Sequence, residues 1–130
     1  MVQAFHHDVM RLNMMYRFRK NRIRVLAWTY LFLAGLLEIG FTTALRLSEG
    51  FSRLAPSLVF FICAALSFLA LQRATGEIPL GTAYAVWVGI GAAGTLLVGV
   101  ALFNEPVSVP RCVFLATLVC SIIGLRFFSP

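Results

Sequence analysis

The sequence is poor in charge, and above all in acidic residues. Only 12% of its 130 residues are Asp, Glu, Lys or Arg, and five of them are acidic, whereas 60% of the residues are hydrophobic. Soluble domains average about 25% charged residues. A chain this short and this apolar cannot hide its apolar surface inside one water-soluble globule. The composition therefore predicts that lipid surrounds most of the chain.

Motifs for metal, phosphate and nucleophilic chemistry are also missing. The three cysteines lie inside apolar runs without the spacing of metal ligands or of a disulfide framework. There is no phosphate-binding glycine loop, no zinc-protease helix, no nucleophile elbow and no loop long enough to build a water-exposed active site. We interpret the adjacent pair His6 and His7 as solvated side chains. The sequence thus predicts a protein without a cofactor or metal that is not an enzyme.

Four apolar runs fill the rest of the chain, at about residues 25–45, 55–71, 80–103 and 109–128. The short connections between them contain glycine and proline, which interrupt regular structure. Backbone groups in lipid must be hydrogen-bonded within the segment, and open sheet edges are not tolerated there. We therefore predict an all-α membrane protein with four transmembrane helices joined by short loops, in residues 25–130.

The first 24 residues form a basic segment that contains six of the eleven Lys and Arg residues: Arg11, Arg17, Arg19, Lys20, Arg22 and Arg24. A basic run directly before a span holds that end in the cytoplasm and contacts anionic lipid, which we favour over binding of nucleic acid. The segment has no clean periodicity, and we predict that it is disordered. The run at 25–45 is about 31 Å long as a helix, and no A-x-A-like cleavage site follows it. We therefore expect a retained first helix, with Met14 or Met15 as alternative starts.

Glu38 is the one acidic residue inside any of the four runs. A charged group at the centre of a bilayer costs about 2.5–3.5 kcal/mol, so such residues usually face a bundle interior and mark a transport path. The alternative is a structural glutamate that is hydrogen-bonded within the bundle. A protonated carboxyl is cheap to bury, whereas an ionised one attracts a cation. Binding of a proton and binding of a cation then exclude each other, which is sufficient chemistry for an antiporter.

Side chains three or four residues away share the helix face of Glu38. Gly35, next to Ala34, leaves room beside the carboxylate, and Phe41 adds an aromatic wall. In the third run Tyr84 and Trp87 lie three residues apart, and an aromatic ring over a desolvated cation contributes about 2 kcal/mol. The alternative for both aromatic residues is plain packing.

Two further features of the runs leave alternatives open. Ser67, in the second run, is predicted to bond either to Glu38 or to its own helix backbone. The third run contains Gly89, Gly91, Gly94 and Gly99, which permit either close helix approach or a hinge.

Three motifs together resemble the small multidrug resistance family over about residues 29–127: "AGLLE", "SEGFSRLAPS" and "IPLGTAYAVWVGIGA". The resemblance implies proton-coupled export of organic cations across the bacterial inner membrane. It also implies an antiparallel dimer in which Glu38 of both protomers forms one shared site, and in which the fourth helix makes most of the dimer contact. Ser67, Tyr84 and Trp87 match family positions that line this site.

Two subtypes of the family compete. Gly35, Ser67 and Trp87 match guanidinium exporters, in which a tryptophan stands at the position of Phe41. The stretch "TTALRLSEGF" is more similar to the quaternary-ammonium and multidrug subtype. We therefore expect an exporter of quaternary ammonium or guanidinium-type cations that accepts substrates with some hydrophobic surface. The alternative is a non-transporting or heterodimeric partner subunit of a related transporter.

Overall fold

The computed structural model describes the backbone of residues 2–128 and the side chains of residues 14–128. It contains four helices: α1 at Val2–Leu47, α2 at Leu54–Ala74, α3 at Leu80–Phe103 and α4 at Val109–Phe128. Each of them contains a stretch that is long and apolar enough to cross a membrane. The predicted all-α architecture with four spans and short loops is confirmed. The helices α3 and α4 coincide with the third and fourth apolar runs, whereas α1 and α2 are longer than their apolar runs.

The basic N-terminal segment is helical, which differs from the predicted disorder. α1 begins at Val2 and continues without interruption into the first span. Residues 2–24 contain no glycine or proline to end a helix, and they are rich in Arg and Met, which favour it. The side chains at 14–24 are all exposed. The side chains of His6, His7 and Arg11 lie outside the described side chains. The division of the chain into a segment and a domain at residue 24 stays a prediction.

Local sequence signals explain where the other helices begin and end. Pro79 precedes the first residue of α3, where its missing N–H costs nothing. Asn104 ends α3 in the left-handed conformation with φ of 51°, a role for which asparagine is well suited. The turn before α2 places Glu49, Gly50 and Phe51 at positive φ in succession. These turns are tight, so consecutive helices run antiparallel.

The core lies between α1, α2 and α3. Its buried residues are mostly small, and they come from α1, α3 and the end of α2 with the turn after it: Ala27, Leu31, Ala34, Ala74, Ile78, Ala83, Val86 and Trp87. By contrast, α4 has no buried residue and packs mainly against α3. The molecule is therefore a three-helix unit with a fourth helix attached to its side.

Glycines allow α1 and α3 to approach closely. A Cβ atom at Gly35 would lie 2.7 Å from Cβ of Ile90, and one at Gly94 would lie 2.6 Å from Cγ1 of Ile39. Small residues permit this kind of backbone approach in membrane helices. Close approach, one of the two roles predicted for the third-run glycines, is confirmed. The structure shows α3 as one continuous helix, and the hinge at these glycines stays a prediction.

Charged side chains meet at the end of the bundle where α1 and α3 finish. Glu105 accepts from Arg46 at 2.7 Å and from Arg111 at 3.1 Å. The guanidinium of Arg46 also lies 4.1 Å from the centre of the Phe103 ring. The hydrogen bond from Arg111, and then that from Arg46, hold the pKa of the Glu105 carboxyl below its usual value. This cluster links the turn after α3 to the last turn of α1 and the first turn of α4.

Candidate functional site

Glu38 lies in the membrane-spanning part of α1, nine residues before the end of the helix, and faces α3. Its Oε2 atom is buried and has no hydrogen-bond partner among the described residues. The carboxyl group lies against Gly91, where any side chain would collide with it. In the protomer, Glu38 is therefore not a structural glutamate whose hydrogen bonds are satisfied within the bundle. A buried, unpartnered carboxylate oxygen is costly, which makes it a place for a proton or a cation.

Ser67 forms a hydrogen-bonded bridge between three helices. Its hydroxyl donates to the carbonyl of Ala34 on α1 at 2.8 Å and accepts from Nε1–H of Trp87 on α3 at 3.1 Å. Both partners predicted for Ser67, Glu38 and its own helix backbone, are wrong. The sequence could not reveal the real ones, because they depend on how far α2 slides along α1. The bridge holds α1, α2 and α3 together one helical turn before Glu38.

The two aromatic side chains predicted on one face of α3 do lie together. The rings of Tyr84 and Trp87 are 5.6 Å apart with their planes at 60°. Trp87 is only 6% exposed, whereas Tyr84 is 56% exposed. Phe68 of α2 packs on Trp87 at 5.4 Å. Trp87 is thus a fixed wall that its neighbours hold in place, and Tyr84 faces outward from the protomer.

Phe41 is half-buried and has an aromatic partner that sequence reasoning missed. Its ring meets Phe60 of α2 edge to face, with centres 5.8 Å apart and planes at 89°. Phe60 in turn packs against Phe51 and Phe61. Nothing in the sequence marks Phe60, because α2 is apolar on every side. The α2 side of the site is therefore an apolar, aromatic surface.

Gly35 has a different place from the one expected. The space beside it is filled by Ile90, whose Cβ and Cγ2 would be in collision with any side chain there. Gly35 therefore sets the distance between α1 and α3. It leaves no open pocket on its own side of the helix.

One turn after Glu38, two hydroxyl groups meet between α1 and α3. Oγ1 of Thr42 and Oγ1 of Thr95 are 2.8 Å apart, and Thr42 is also 2.9 Å from the backbone carbonyl of Glu38. Sequence reasoning missed Thr95. A signal was present: Thr42 follows Glu38 by four residues, and Thr95 follows Gly91 by four, so both pairs repeat at helical spacing. Hydroxyl groups thus continue the polar surface of the site along α3.

No described residue neutralises Glu38. No ion pair involves this carboxylate, and the described residues form no group of His, Cys, Asp or Glu that could hold a metal ion. Ionised, Glu38 is an isolated negative charge between polar and aromatic walls. Protonated, it is neutral and needs no partner cation.

Comparison with known proteins adds to this geometry. The family model described as Small Multidrug Resistance protein matches residues 26–118, a range that contains all six predicted site residues. A guanidinium exporter of Yersinia pseudotuberculosis is 44% identical over 104 residues, which are 80% of this chain and all of that relative. A guanidinium exporter of Proteus vulgaris is 42% identical with the same coverage, and one of Escherichia coli K12 is 42% identical over 101 residues, 78% of this chain and 96% of the relative. The four-helix chain built around Glu38 is therefore a multi-pass bacterial inner-membrane protein that belongs to the small multidrug resistance family.

Proposed function

We propose that the protein is a proton-coupled antiporter that exports small organic cations across the inner membrane. The observation that carries this proposal is the buried Oε2 of Glu38, which has no partner among the described residues. One carboxyl can bind a proton or a cation but not both at once. Because each occupant displaces the other, a downhill proton flow drives the cation uphill. Trp87 and Tyr84 supply aromatic faces for the cation.

Guanidinium-type cations are the substrate class that the comparisons favour. The relatives named above are called guanidinium exporters. Phe41 lacks the N–H that a tryptophan would offer, so the α2 side of the site is apolar. Guanidinium compounds with a hydrophobic substituent therefore suit both sides of the site. Quaternary ammonium compounds are the second substrate class, and they would use the aromatic faces alone.

A second copy of the chain in the opposite orientation would complete the site. α4 has no buried residue in the protomer, so a large apolar surface is free to pack on another chain. Two inverted copies would bring two Glu38 carboxylates to one shared site. This arrangement gives each membrane face an equivalent entrance.

Transport by the purified protein in liposomes tests the proposal. A pH gradient should drive guanidinium uphill in the wild type, and Glu38→Gln should abolish this while the protein remains folded, because the amide keeps the shape but cannot ionise. Glu77→Gln is the matched control, since Glu77 lies in an exposed turn. Cation accumulation by Glu38→Gln at the wild-type rate would show that coupling lies elsewhere.

A second candidate function, an oppositely oriented partner subunit of a related transporter, is favoured by the distribution of charge. With four spans both termini lie on one side, and that side has eight of the eleven Lys and Arg residues, six of them in the first 24. The other side has Arg46, Arg53 and Arg111. Without the N-terminal segment the bias disappears. Positive charge near the first span usually sets orientation, so the full chain would insert with its N-terminus in the cytoplasm.

Reporter fusions at the C-terminus separate the two candidates. The partner-subunit function requires one orientation for the full chain and mixed insertion after deletion of residues 1–24. Equal populations of both orientations in the full chain would instead support a homodimer of inverted copies.

A further inference from the structure

We propose that Thr95, held by Thr42, is a hydrogen-bond acceptor for the N–H groups of the bound cation. Its hydroxyl makes the site favour cations with N–H donors, such as guanidinium, over quaternary ammonium ions that have none. This inference rests on the proposed function, because it assigns a specificity-determining residue to the same site.

The register of α1 and α3 places Thr95 one helical turn along α3 from Gly91, the residue against which the Glu38 carboxyl lies. Gly91 and Thr95 share one face of α3. Side chains four residues apart on a helix have Cβ atoms about 5–6 Å apart. A planar cation whose N–H groups point in different directions can span that distance. It would donate to Glu38 with one edge and to Thr95 with another.

The hydroxyl of Thr95 is free to accept a hydrogen bond from a ligand. A hydroxyl has one proton and two lone pairs. Thr42 lies 2.9 Å from the carbonyl of Glu38, so its proton is directed to its own helix. With Thr42 donating to its own helix, Thr95 is the donor in the contact between the two hydroxyls, a geometry that fits either oxygen as donor. This arrangement fixes the Thr95 rotamer, and no other hydrogen bond to its hydroxyl occurs among the described residues, so its lone pairs remain for a ligand.

Other hydroxyl groups near Glu38 are less able to accept hydrogen bonds from the cation. Ser67 already donates to Ala34 and accepts from Trp87, so most of its capacity is used. Thr43 is adjacent to Thr42, but its hydroxyl bonds only to the carbonyl of Ile39 in its own helix. A guanidinium ion has more N–H donors than one carboxylate accepts, and each buried donor left unpaired costs about 1–3 kcal/mol. Thr95 meets this need from the α3 side.

The two sides of the site then have separate tasks. On the α3 side Glu38 and Thr95 accept from N–H groups. On the α2 side the edge-to-face pair Phe41 and Phe60 presents only apolar surface. A cation with a guanidinium head and a short hydrophobic substituent matches both sides in one orientation.

Relative affinity for two cations tests the inference. Guanidinium and tetramethylammonium are titrated into the purified protein in detergent micelles, and the ratio of their dissociation constants is measured. A lost hydrogen bond of about 1 kcal/mol corresponds to about fivefold in affinity. Thr95→Val should therefore weaken guanidinium binding by about fivefold and leave tetramethylammonium binding unchanged. Thr95→Ser keeps the hydroxyl and should retain the wild-type ratio.

Thr43→Val is the matched control, because it removes a neighbouring hydroxyl that bonds only to its own helix. It should leave the ratio unchanged. Equal weakening of both cations by Thr95→Val, or an unchanged ratio, would overturn the inference. Binding measured in micelles is independent of proton-driven transport. A wild type that binds both cations but moves neither would therefore refute the proposed antiport without affecting this test.

Discussion

Polar side chains behave differently in α1–α3 and in α4. In the three-helix unit some of them reach across helices, although Thr29 and Thr43 bond only within α1: Ser67 joins Ala34 and Trp87, and Thr42 meets Thr95. In α4 both hydroxyls, Thr117 and Ser121, bond to carbonyls of their own helix at 2.9 and 2.8 Å. Some Ser and Thr hydroxyls thus join helices in α1–α3, whereas in α4 they only form hydrogen bonds within their own helix.

The difference shows what holds helices together when lipid is the solvent. Lipid tails are as apolar as the side chains, so helix association depends on close packing and on hydrogen bonds between helices. α1–α3 have both. In α4, Ile122 packs closely against Gly89 of α3, and the guanidinium of Arg126 lies 4.2 Å from the centre of the Trp28 ring. The unit that holds Glu38 is therefore fixed, whereas α4 leaves its side chains unburied in the protomer.

The largest effect is expected from widening the contact between α1 and α3. In Gly35→Ala the new methyl group would lie 2.7 Å from Cβ of Ile90, an atom that no rotamer change can move. Overpacking of this kind costs about 1–3 kcal/mol. We expect a lower thermal midpoint in micelles and loss of cation binding, since Glu38 also depends on this contact.

Gly124→Ala in α4 is the control, because no atom lies within 4 Å of the new Cβ in the protomer. It should leave the thermal midpoint of the protomer unchanged. If both variants were equally destabilised, the difference between the two regions would not hold.

A smaller effect is expected from removing the bridge at Ser67. Ser67→Ala leaves the Nε1–H of Trp87 buried without its partner, at a cost of about 1–2 kcal/mol. The indole would lose its fixed position, which a change in tryptophan fluorescence would report. Ser121→Ala in α4 removes a hydroxyl of the same kind that serves only its own helix. An equal loss of stability in both variants would contradict the role of the bridge.

The four-helix fold can be predicted from the sequence, because the length of each apolar run determines whether it can span the membrane as a helix. Two helices begin and end where the apolar runs do, and proline and asparagine mark their boundaries. In the N-terminal segment the lack of apolar periodicity predicts disorder, whereas helix propensity continues through these residues and α1 includes them. Charge pattern predicts a boundary of the membrane and does not predict a boundary of the helix.

The site was predictable only along single helices. The shared face of Tyr84 and Trp87 follows from their spacing on α3, and Glu38 stands out as a lone carboxylate. The partners of Ser67, the pair Phe41 and Phe60, and the contact of Thr42 with Thr95 all join different helices. These contacts depend on helix register, which small packing residues set and which periodicity within one helix does not encode.

The smallest effect is expected at the ion-pair cluster, where water competes with the contacts. Glu105 is partly exposed and binds Arg46 and Arg111, and Arg46 would retain its stacking on Phe103 in Glu105→Gln. Exposed ion pairs contribute little and are screened by salt. We therefore expect a lowering of the thermal midpoint at neutral pH that is smaller than in the two variants above and that decreases at high salt.

The pH dependence of this effect has a definite sign. The pKa of Glu105 is lower in the folded protein than in the unfolded chain, so its contribution is present above the unfolded value and is lost as pH falls through the folded value. The difference between wild type and Glu105→Gln should thus be present near neutral pH and be lost as the pH falls through the lowered pKa of the folded state. Glu77→Gln is the control, since Glu77 forms no ion pair among the described residues. A difference that persisted in acid would mean that Glu105 acts through packing against Gly99, where its carboxyl also lies, rather than through its charge.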